Sequence, residues 1–322
     1  METALLFAGD KVEEIEQWPP DVENLGRSSI LWIDLDRPDE RRAEELSSEL
    51  RLLPETQERL FDGLKRPFLG DCDAYVHVTA LAPSRADGRR AELVKVDCLV
   101  ASKWVVTVHE GPVGVLDEFR ERASDGGETG KLDGLELLAN ILEWVLKSYL
   151  ESFEDVELAL EEFDTRAMEG DLDDPNAELG RLVGLRHEVG ALRRALTSHR
   201  SIMLALTRPE LANLERDSHA ERFESLRERL EEVIQAARDS RDSVVGSFDV
   251  IIARSEQRTN EIMKVLTLVS ALLLPGALVA GVLGMNFKIG LFTHPEYFWV
   301  VLGAIFAVAA ATLGAARMRH WI

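Results

Sequence analysis

The chain has 322 residues, of which 46% are hydrophobic, and a formal charge of −21, so it has room for one or two soluble cores but lacks the basic surface that nucleic acid requires. Its acids serve either solubility or the attraction of cations, and composition alone leaves these two readings even. Two cysteines, Cys72 and Cys98, with no CxxC spacing exclude a disulfide scaffold and fit a reducing cytoplasm, and without an HExxH, a Walker loop or a nucleophile elbow the sequence offers no catalytic residues and implies no cofactor.

The first ten residues carry an acid at Glu2 and no basic start, so no signal peptide is expected. Residues 1 to 110 alternate β-type runs with turn signals: Ile30 to Leu35, Ala74 to Ala82, Leu93 to Ala101 and Trp104 to His109 are short and rich in Val, Ile and aromatics. Arg41 to Leu64 reads as helix between them, and Ser102-Lys103 reads as a two-residue hairpin turn despite lacking glycine. Residues 1–126 are thus predicted to form a mixed α/β domain.

After the Gly-rich break at Asp125 to Gly130, residues 127–263 are predicted to be a helical hairpin and a long stalk helix. Leu146, Leu150, Phe153, Val156, Leu160, Phe163 and Ala167 recur at three- and four-residue steps, with acids such as Glu151, Glu154, Asp155 and Glu161 between them. That acidic face reads as solvated rather than as a metal store. Asp174 as N-cap and Pro175 at the first helical position open a basic helix carrying Arg181, Arg186, Arg193, Arg194 and Arg200, so a hairpin of complementary charge is expected. From about Leu214 to Leu283 no strong breaker intervenes apart from Gly246, Pro275, Gly276 and Gly281, and a helix of about 70 residues would be about 100 Å long. Such a helix must be a stalk, able to carry motion of a soluble domain to a membrane.

Residues 264–322 hold two uncharged runs, Val265 to Phe287 and Tyr297 to Ala316. About 20 apolar residues span a hydrocarbon core of roughly 30 Å, so a transmembrane hairpin is predicted, with spans at about 265–285 and 297–316 and a loop at 286–296. Arg254, Arg258 and Lys264 precede the first span, and Arg317 and Arg319 follow the second, with Trp321 as an interfacial anchor. This places both termini in the cytoplasm and the chain, multi-pass, in the inner (plasma) membrane among its lipids.

Asp249, Asn260, Met263, Leu266 (or Thr267), Ser270, Leu274, Ala277, Gly281 and Gly284 mark one face of the long helix, in steps of three or four from Asn260 onward. Small residues at the far end let helices approach closely. A symmetric bundle would stack a polar ring at Asn260, apolar rings at Met263, Leu266 and Leu274, a hydroxyl ring at Ser270 and an amide ring at Asn286, the outline of a cation pore gated by dewetting. From periodicity alone a plain packing seam is the more economical reading.

Gln257 to Thr267 (QRTNEIMKVLT) resembles the stretch preceding the first span in the CorA family of divalent-cation channels, and Pro275 follows at that family's distance. Gly284-Met285-Asn286-Phe287 is similar to its GMN signature, at the matching place between two terminal spans. Close similarity is read over roughly the last 70 residues, with only a strand-then-helix likeness before them. The resemblance implies an α+β cytoplasmic domain followed by a stalk and two C-terminal transmembrane helices, assembled as a funnel-shaped homopentamer with the first spans around the pore and the second outside. It implies transport of Mg²⁺, or of Co²⁺, Ni²⁺ or Zn²⁺, as the carried ion. Carried over by position, Gly284, Met285 and Asn286 are the selectivity filter. Asn260 is the inner polar ring, and Met263, Leu266 and Leu274 are the gate, with Ser270 and Ala277 lining the pore. Asp249 belongs to the cytoplasmic funnel, and Asn286, with Glu296 and His294 as further candidates, meets the metal.

The sequence departs from the family pattern at several points. Leu283 replaces an aromatic residue, Ala277 a threonine, and the short acidic loop becomes KIGLFTHPE, which keeps Pro295 and Glu296 and adds Lys288 and His294. The regulatory stalk acid of some members falls near Ser225, with Glu224 and Glu228 as neighbouring substitutes. Two rivals stand beside the leading reading: a Zn²⁺ transporter of the related ZntB branch, and a non-conducting membrane-anchored scaffold.

Overall fold

The computed structural model describes residues 2–8, 11–15, 22, 25–26, 29–84, 91–114, 116, 118, 133–169, 175–207, 219–284 and 296–318. Two compact units divide the chain: Met1–Arg166 with Gly170–Phe248, and Ala167–Glu169 with Asp249–Ile322.

The first unit is built on seven strands: β1 (Glu2–Ala8), β2 (Lys11–Glu14), β3 (Ser29–Asp36), β4 (Phe68–Asp71), β5 (Val76–Ser84), β6 (Glu92–Val100) and β7 (Trp104–His109). They lie in the order β2-β1-β3-β7-β6-β5-β4, antiparallel except for β3 beside β7. Period-2 alternation sends Leu31, Ile33 and Leu35 of β3 and Trp104, Val106 and Val108 of β7 into one core with Leu46, Leu50 and Leu52. The Ser102-Lys103 turn forms as expected, closed by Ala101 N–H donating to the Trp104 carbonyl at 2.9 Å. It manages without glycine because it is tied down from outside: Lys103 Nζ donates to the Leu25 carbonyl at 3.0 Å, and the Lys103 carbonyl accepts from Leu31 N–H at 2.9 Å.

The helix expected over Arg41 to Leu64 is two helices, α1 (Glu40–Glu49) and α2 (Pro54–Phe61). Pro54 disfavours helical backbone at Leu53, which is extended with ψ 145°, and Arg51 takes a left-handed φ of 52° to make the corner. Tyr75 braces the second start, its hydroxyl accepting from Leu53 N–H at 3.0 Å and bonding Thr56 at 2.7 Å. Strands β1, β2 and β4 were not legible as strands in the sequence.

Asp97, in β6, is 1% exposed and fully engaged. It accepts from His77 Nε2 at 2.9 Å and Thr79 Oγ1 at 2.6 Å, and Lys95 Nζ lies 3.1 Å from its second oxygen. Lys95 also donates to the Arg59 carbonyl and to Asp62, so the strand is fastened to the end of α2. At β7, His109 Nδ1 bonds the Gly111 carbonyl at 2.7 Å, while its Nε2 lies 3.4 Å from Asp34 without hydrogen-bond geometry. Burial works against the imidazolium there, yet Asp34, the Gly111 carbonyl and Asp36 outweigh it and raise the His109 pKa above its ordinary value.

The helical part comprises α3 (Gly134–Glu169), α4 (Pro175–Ser198), α5 (Arg200–Leu206) and α6 (Ala220–Gly284). The expected α3 stripe is buried at Leu146, Phe153, Val156, Leu160, Phe163 and Ala167 and half-buried at Leu150, with its acids outward. Cross-bonds pair Arg222 with Asn140 at 3.0 Å, Ser240 with Glu157 at 3.1 Å and Ser247 with Asp164 at 3.1 Å. The near-constant offset between these partners means that α3 and α6 run parallel. Gly134 is required where α3 meets the β6–β7 turn, since a Cβ there would sit 2.1 Å from the Ala101 carbonyl oxygen. The complementary charge expected between α3 and α4 is realised with the opposite sign, for the bridge recorded between them is Arg166 of α3 to Glu178 of α4 at 3.2 Å. The reason is burial: α4 uses Leu182, Val189, Leu192 and Leu196 for its contact face and leaves Arg181, Arg186 and Arg194 in solvent.

β4 pairs with β5 only from Val76 to Thr79, which leaves Leu81 at a sheet edge. Its carbonyl accepts from Tyr149 Oη of α3 at 2.9 Å, and its N–H donates to His199 Nε2 at 3.0 Å. His199 in turn bonds the Ala195 carbonyl through Nδ1 at 2.9 Å, so its only fitting form is the neutral tautomer protonated at Nδ1. Burial pulls its pKa from 6.5 to about 4. The unfolded chain therefore takes up a proton near pH 6.5 and the folded one does not until about pH 4, so stability is full above 6.5 and declines as pH falls between these values. Unfolding measured at pH 7 and pH 4.5 should show a loss on the order of 3 kcal/mol from this group, and His199→Gln should flatten that slope. Asp97→Ala, which leaves His77 and Thr79 buried without their acceptor and Lys95 with Asp62 as its remaining counter-ion, should destabilise the first unit by about 3–5 kcal/mol in denaturant unfolding.

Candidate ion-conducting helix

The second unit takes α6 from Asp249 onward and α7 (Glu296–Met318). From Val265 to Gly284, α6 has no charged side chain, is long and apolar enough to cross a membrane, and within the chain none of its most apolar window is buried. Leu273, Leu274 and Leu278 are each 66–67% exposed. So large an uncovered apolar surface requires lipid or other protein. The apolar stretch of α7, Trp299–Ala315, is shorter.

The two helices cover each other along one stripe. On α6 the half-buried residues are Leu268, Ala271, Leu272, Pro275, Gly276 and Val279; on α7 they are Val301, Leu302, Ile305, Ala309 and Thr312. The small size of Gly276 sets the approach, a Cβ there lying 3.4 Å from Ile305 Cγ2. Pro275 sits on the same stripe, where it removes one N–H from the helical ladder.

Asn260, Met263, Leu266, Thr267, Ser270, Leu274, Ala277 and Gly281 are all exposed. At 100° per residue their mean direction lies about 150° from the α7-facing stripe. The face singled out in the sequence is therefore the one that α7 leaves bare. Thr267 turns its hydroxyl back to the Met263 carbonyl at 2.7 Å, which satisfies it within the helix. Asp249 is exposed on the same helix, and the Arg254 guanidinium donates to the Ala167 carbonyl at 2.9 Å. Gly284 is the last helical residue; Met285, Asn286 and His294 lie outside the described residues, as does the side chain of Glu296.

No group of three or more His, Cys, Asp or Glu side chains able to hold a metal occurs among the described residues. Ser225 is exposed, and its neighbour Glu224 is held by Arg227, whose hydrogen bond lowers the carboxyl pKa. Of the acids near Ser225, Glu228 is exposed. Sequence reasoning missed the stripe toward α7, although its signal, Leu268, Leu272, Gly276 and Val279 at steps of three and four, was present.

A family model described as the CorA-like Mg²⁺ transporter protein matches residues 27–314. The chain belongs to the CorA family. The match reaches far beyond the last 70 residues in which the likeness was legible, into the α/β sheet. Among relatives, YfjQ of Bacillus subtilis is 24% identical over 307 residues, covering 94% of this chain and 90% of its own. The complete CorA magnesium transporter of Methanocaldococcus jannaschii superposes with a TM-score of 0.82 at 20% identity, over 100% of this chain and 99% of that one. The cytoplasmic domain of ZntB from Vibrio parahaemolyticus superposes with a TM-score of 0.64 at 13% identity, over 79% and 98% respectively. As a CorA protein the chain is a divalent-cation transporter, with the α+β domain and long helix of that fold.

The two faces of α6 should differ in water access. With Cys72 replaced by serine and the fully buried Cys98 retained, Ser270→Cys and Ala277→Cys should react with a charged, membrane-impermeant thiol reagent and lose flux. Leu272→Cys and Val279→Cys should be protected; equal labelling of both pairs would contradict the assignment of faces.

Proposed function

We propose that five copies of this chain surround one pore lined by the bare face of α6 and that Mg²⁺ enters the cytoplasm through it, with α7 as the outer ring. The observation that carries this reading is the opposition of faces: α7 covers one side of α6, and the uncovered side bears Asn260, Met263, Leu266, Ser270, Leu274 and Ala277 at helical spacing. Both helices cross the inner membrane in this arrangement, and both termini are cytoplasmic.

Mg²⁺ releases its water reluctantly, so a neutral ring suits it better than a stripping cage. Gly284 and Met285 shape the entrance, and the Asn286 carbonyl oxygens receive the hydrated ion, with Glu296 and His294 beside the mouth. Below them Leu274, Leu266 and Met263 narrow an apolar tube that dries when closed, and Asn260 gives the ion a polar resting place. Asp249 gathers cations where the pore widens. No charge in the tube is needed to draw the ion in, because a potential of 100 mV, negative inside, supplies about 2.3 kcal/mol per elementary charge and about twice that for a divalent ion.

A second reading, Zn²⁺ transport as in the ZntB branch, is favoured by the likeness to the ZntB cytoplasmic domain and by His294, whose imidazole suits Zn²⁺ better than Mg²⁺. Uptake of Mg²⁺ and of Zn²⁺ into proteoliposomes under a negative-inside potential separates them. Mg²⁺ flux in the wild type, reduced about tenfold or more by Asn286→Ala, is expected, a change of at least about 1.4 kcal/mol in the barrier. Zn²⁺ flux that depends on a proton gradient, without Mg²⁺ flux, would favour the second reading, and no flux of either ion would refute both.

A further inference from the structure

The first unit holds a cavity of about 240 Å³ beside the carboxyl ends of β3 and β7, the one parallel pair among the described strands. The carboxyl ends of parallel strands are a recurrent place for ligand sites. Pro38, Leu60, Phe61 and Val108 give it apolar walls. Arg37, Lys65, Lys95, Asp97 and Glu110 supply its charges.

Two of those charges are already matched. Asp97 accepts from His77, Thr79 and Lys95, while Lys95 directs its protons to Asp97, Asp62 and the Arg59 carbonyl. Among the described lining residues, Arg37 and Lys65 then stand with His109 against one unmatched acid, Glu110, and Asp36 lies beside Arg37, in a chain whose formal charge is −21. Both cations keep donors in reserve. Lys65 donates one hydrogen bond, to the Leu93 carbonyl at 2.8 Å, and the Arg37 guanidinium stands 3.9 Å from Asp36 with its side chain 70% exposed.

Arg37 is also held in a strained backbone, with φ 51°. Its N–H donates to the His109 carbonyl at 2.9 Å, and Asp36 accepts from Gly111 N–H at 3.0 Å, so the segments leaving β3 and β7 are tied to each other. A non-glycine residue kept left-handed by such ties marks a position where the direction of the side chain matters.

We infer that this cavity binds a small organic anion, its carboxylate or phosphate lying between Arg37 and Lys65 and its apolar body against Phe61 and Val108. Charge-assisted bonds from a guanidinium and an ammonium suit either oxyanion. The volume is below that of drug-sized sites, roughly 300–1,000 Å³, which restricts the body to a single ring or a short chain and excludes a whole nucleotide. This inference is independent of the ion-transport reading.

Calorimetric titration of the full chain in detergent with phenyl phosphate and with benzoate, using neutral phenol as control, tests it. Saturable binding of either anion at one site per chain is expected, absent with phenol and weakened about tenfold by Lys65→Gln and by Arg37→Asn. Phenyl phosphate alone binding would specify a phosphate ligand, and benzoate alone a carboxylate. Both replaced side chains are exposed, and should Arg37→Asn lower the thermal midpoint, Lys65→Gln decides by itself. No saturable binding of either anion, equal binding of phenol, or affinity unchanged by the substitutions would overturn the assignment.

Discussion

The bare face of α6 is the constraint on which the rest of this molecule depends. A helix whose uncharged stretch has none of its most apolar window buried by its own chain is not a finished structure in water. Apart from the position that Pro275 interrupts, backbone hydrogen bonds are satisfied inside the helix, so side chains remain to be accommodated, and they face α7 on one stripe and need lipid or other protein elsewhere. The α7-facing stripe contains Gly276 and Pro275, and the opposite stripe sets Asn260 and Ser270 among apolar residues. Lipid does not select an amide or a hydroxyl, whereas a lumen or an interface between copies does.

In the first unit, packing is joined to a demanding set of buried polar groups. Asp97, His77, Thr79 and Lys95 form one cluster, and Asp34, Thr107 and Trp32 another, in which Trp32 Nε1 donates to Thr107 Oγ1 at 3.0 Å and Thr107 donates to Asp34. Residues that pair across the ladder share a face, so these contacts are set by register: Thr79 lies opposite Asp97, and Asp34 opposite Thr107. A slip of one residue in β6 would put Asp97 among the apolar groups of the other face. The polar clusters thus act against misregister, in addition to whatever they add to stability.

How legible this was in the sequence depended on whether a residue's role is local. The α3 stripe, β5 to β7 and the long helix follow from periodicity and β-branched content, and they appear where those signals lay. The corner at Pro54 was equally local but was overridden by helix-forming neighbours on both sides. β1 and β4 were hidden for a different reason, since neither has a strong pattern of its own: β1 is fixed by β3, which lies beyond β2 in the chain, and β4, only four residues long, by the adjacent β5. His199 and Tyr149 carry no sequence signal at all, because their task, satisfying both backbone groups of Leu81, exists only once β4 stops short. On α6 the exposed stripe was legible because helical geometry alone determines it; which face α7 would cover was not, because that depends on a second helix.

The distribution of charge adds a last step. Residues 261 to 322 hold four Lys or Arg and two Asp or Glu, so the acidity of the chain lies almost entirely ahead of the apolar run. Acids at that density, as on the exposed face of α3, raise the local concentration of divalent ions, and among the described residues no group of three or more His, Cys, Asp or Glu side chains is assembled to hold a metal. A transporter gains from this arrangement: tight ligation near the path would trap a divalent ion, whereas a diffuse field and neutral amides and hydroxyls let it pass. The small positive balance of the segment that includes both apolar helices sits at their ends, on Lys264 and Arg317 among the described residues, where ammonium and guanidinium groups belong at a membrane surface. On the proposed reading, acidity ahead of the apolar run and neutrality from Val265 to Gly284 are two parts of one electrostatic design, in which cations are gathered by many weak charges and conducted by none.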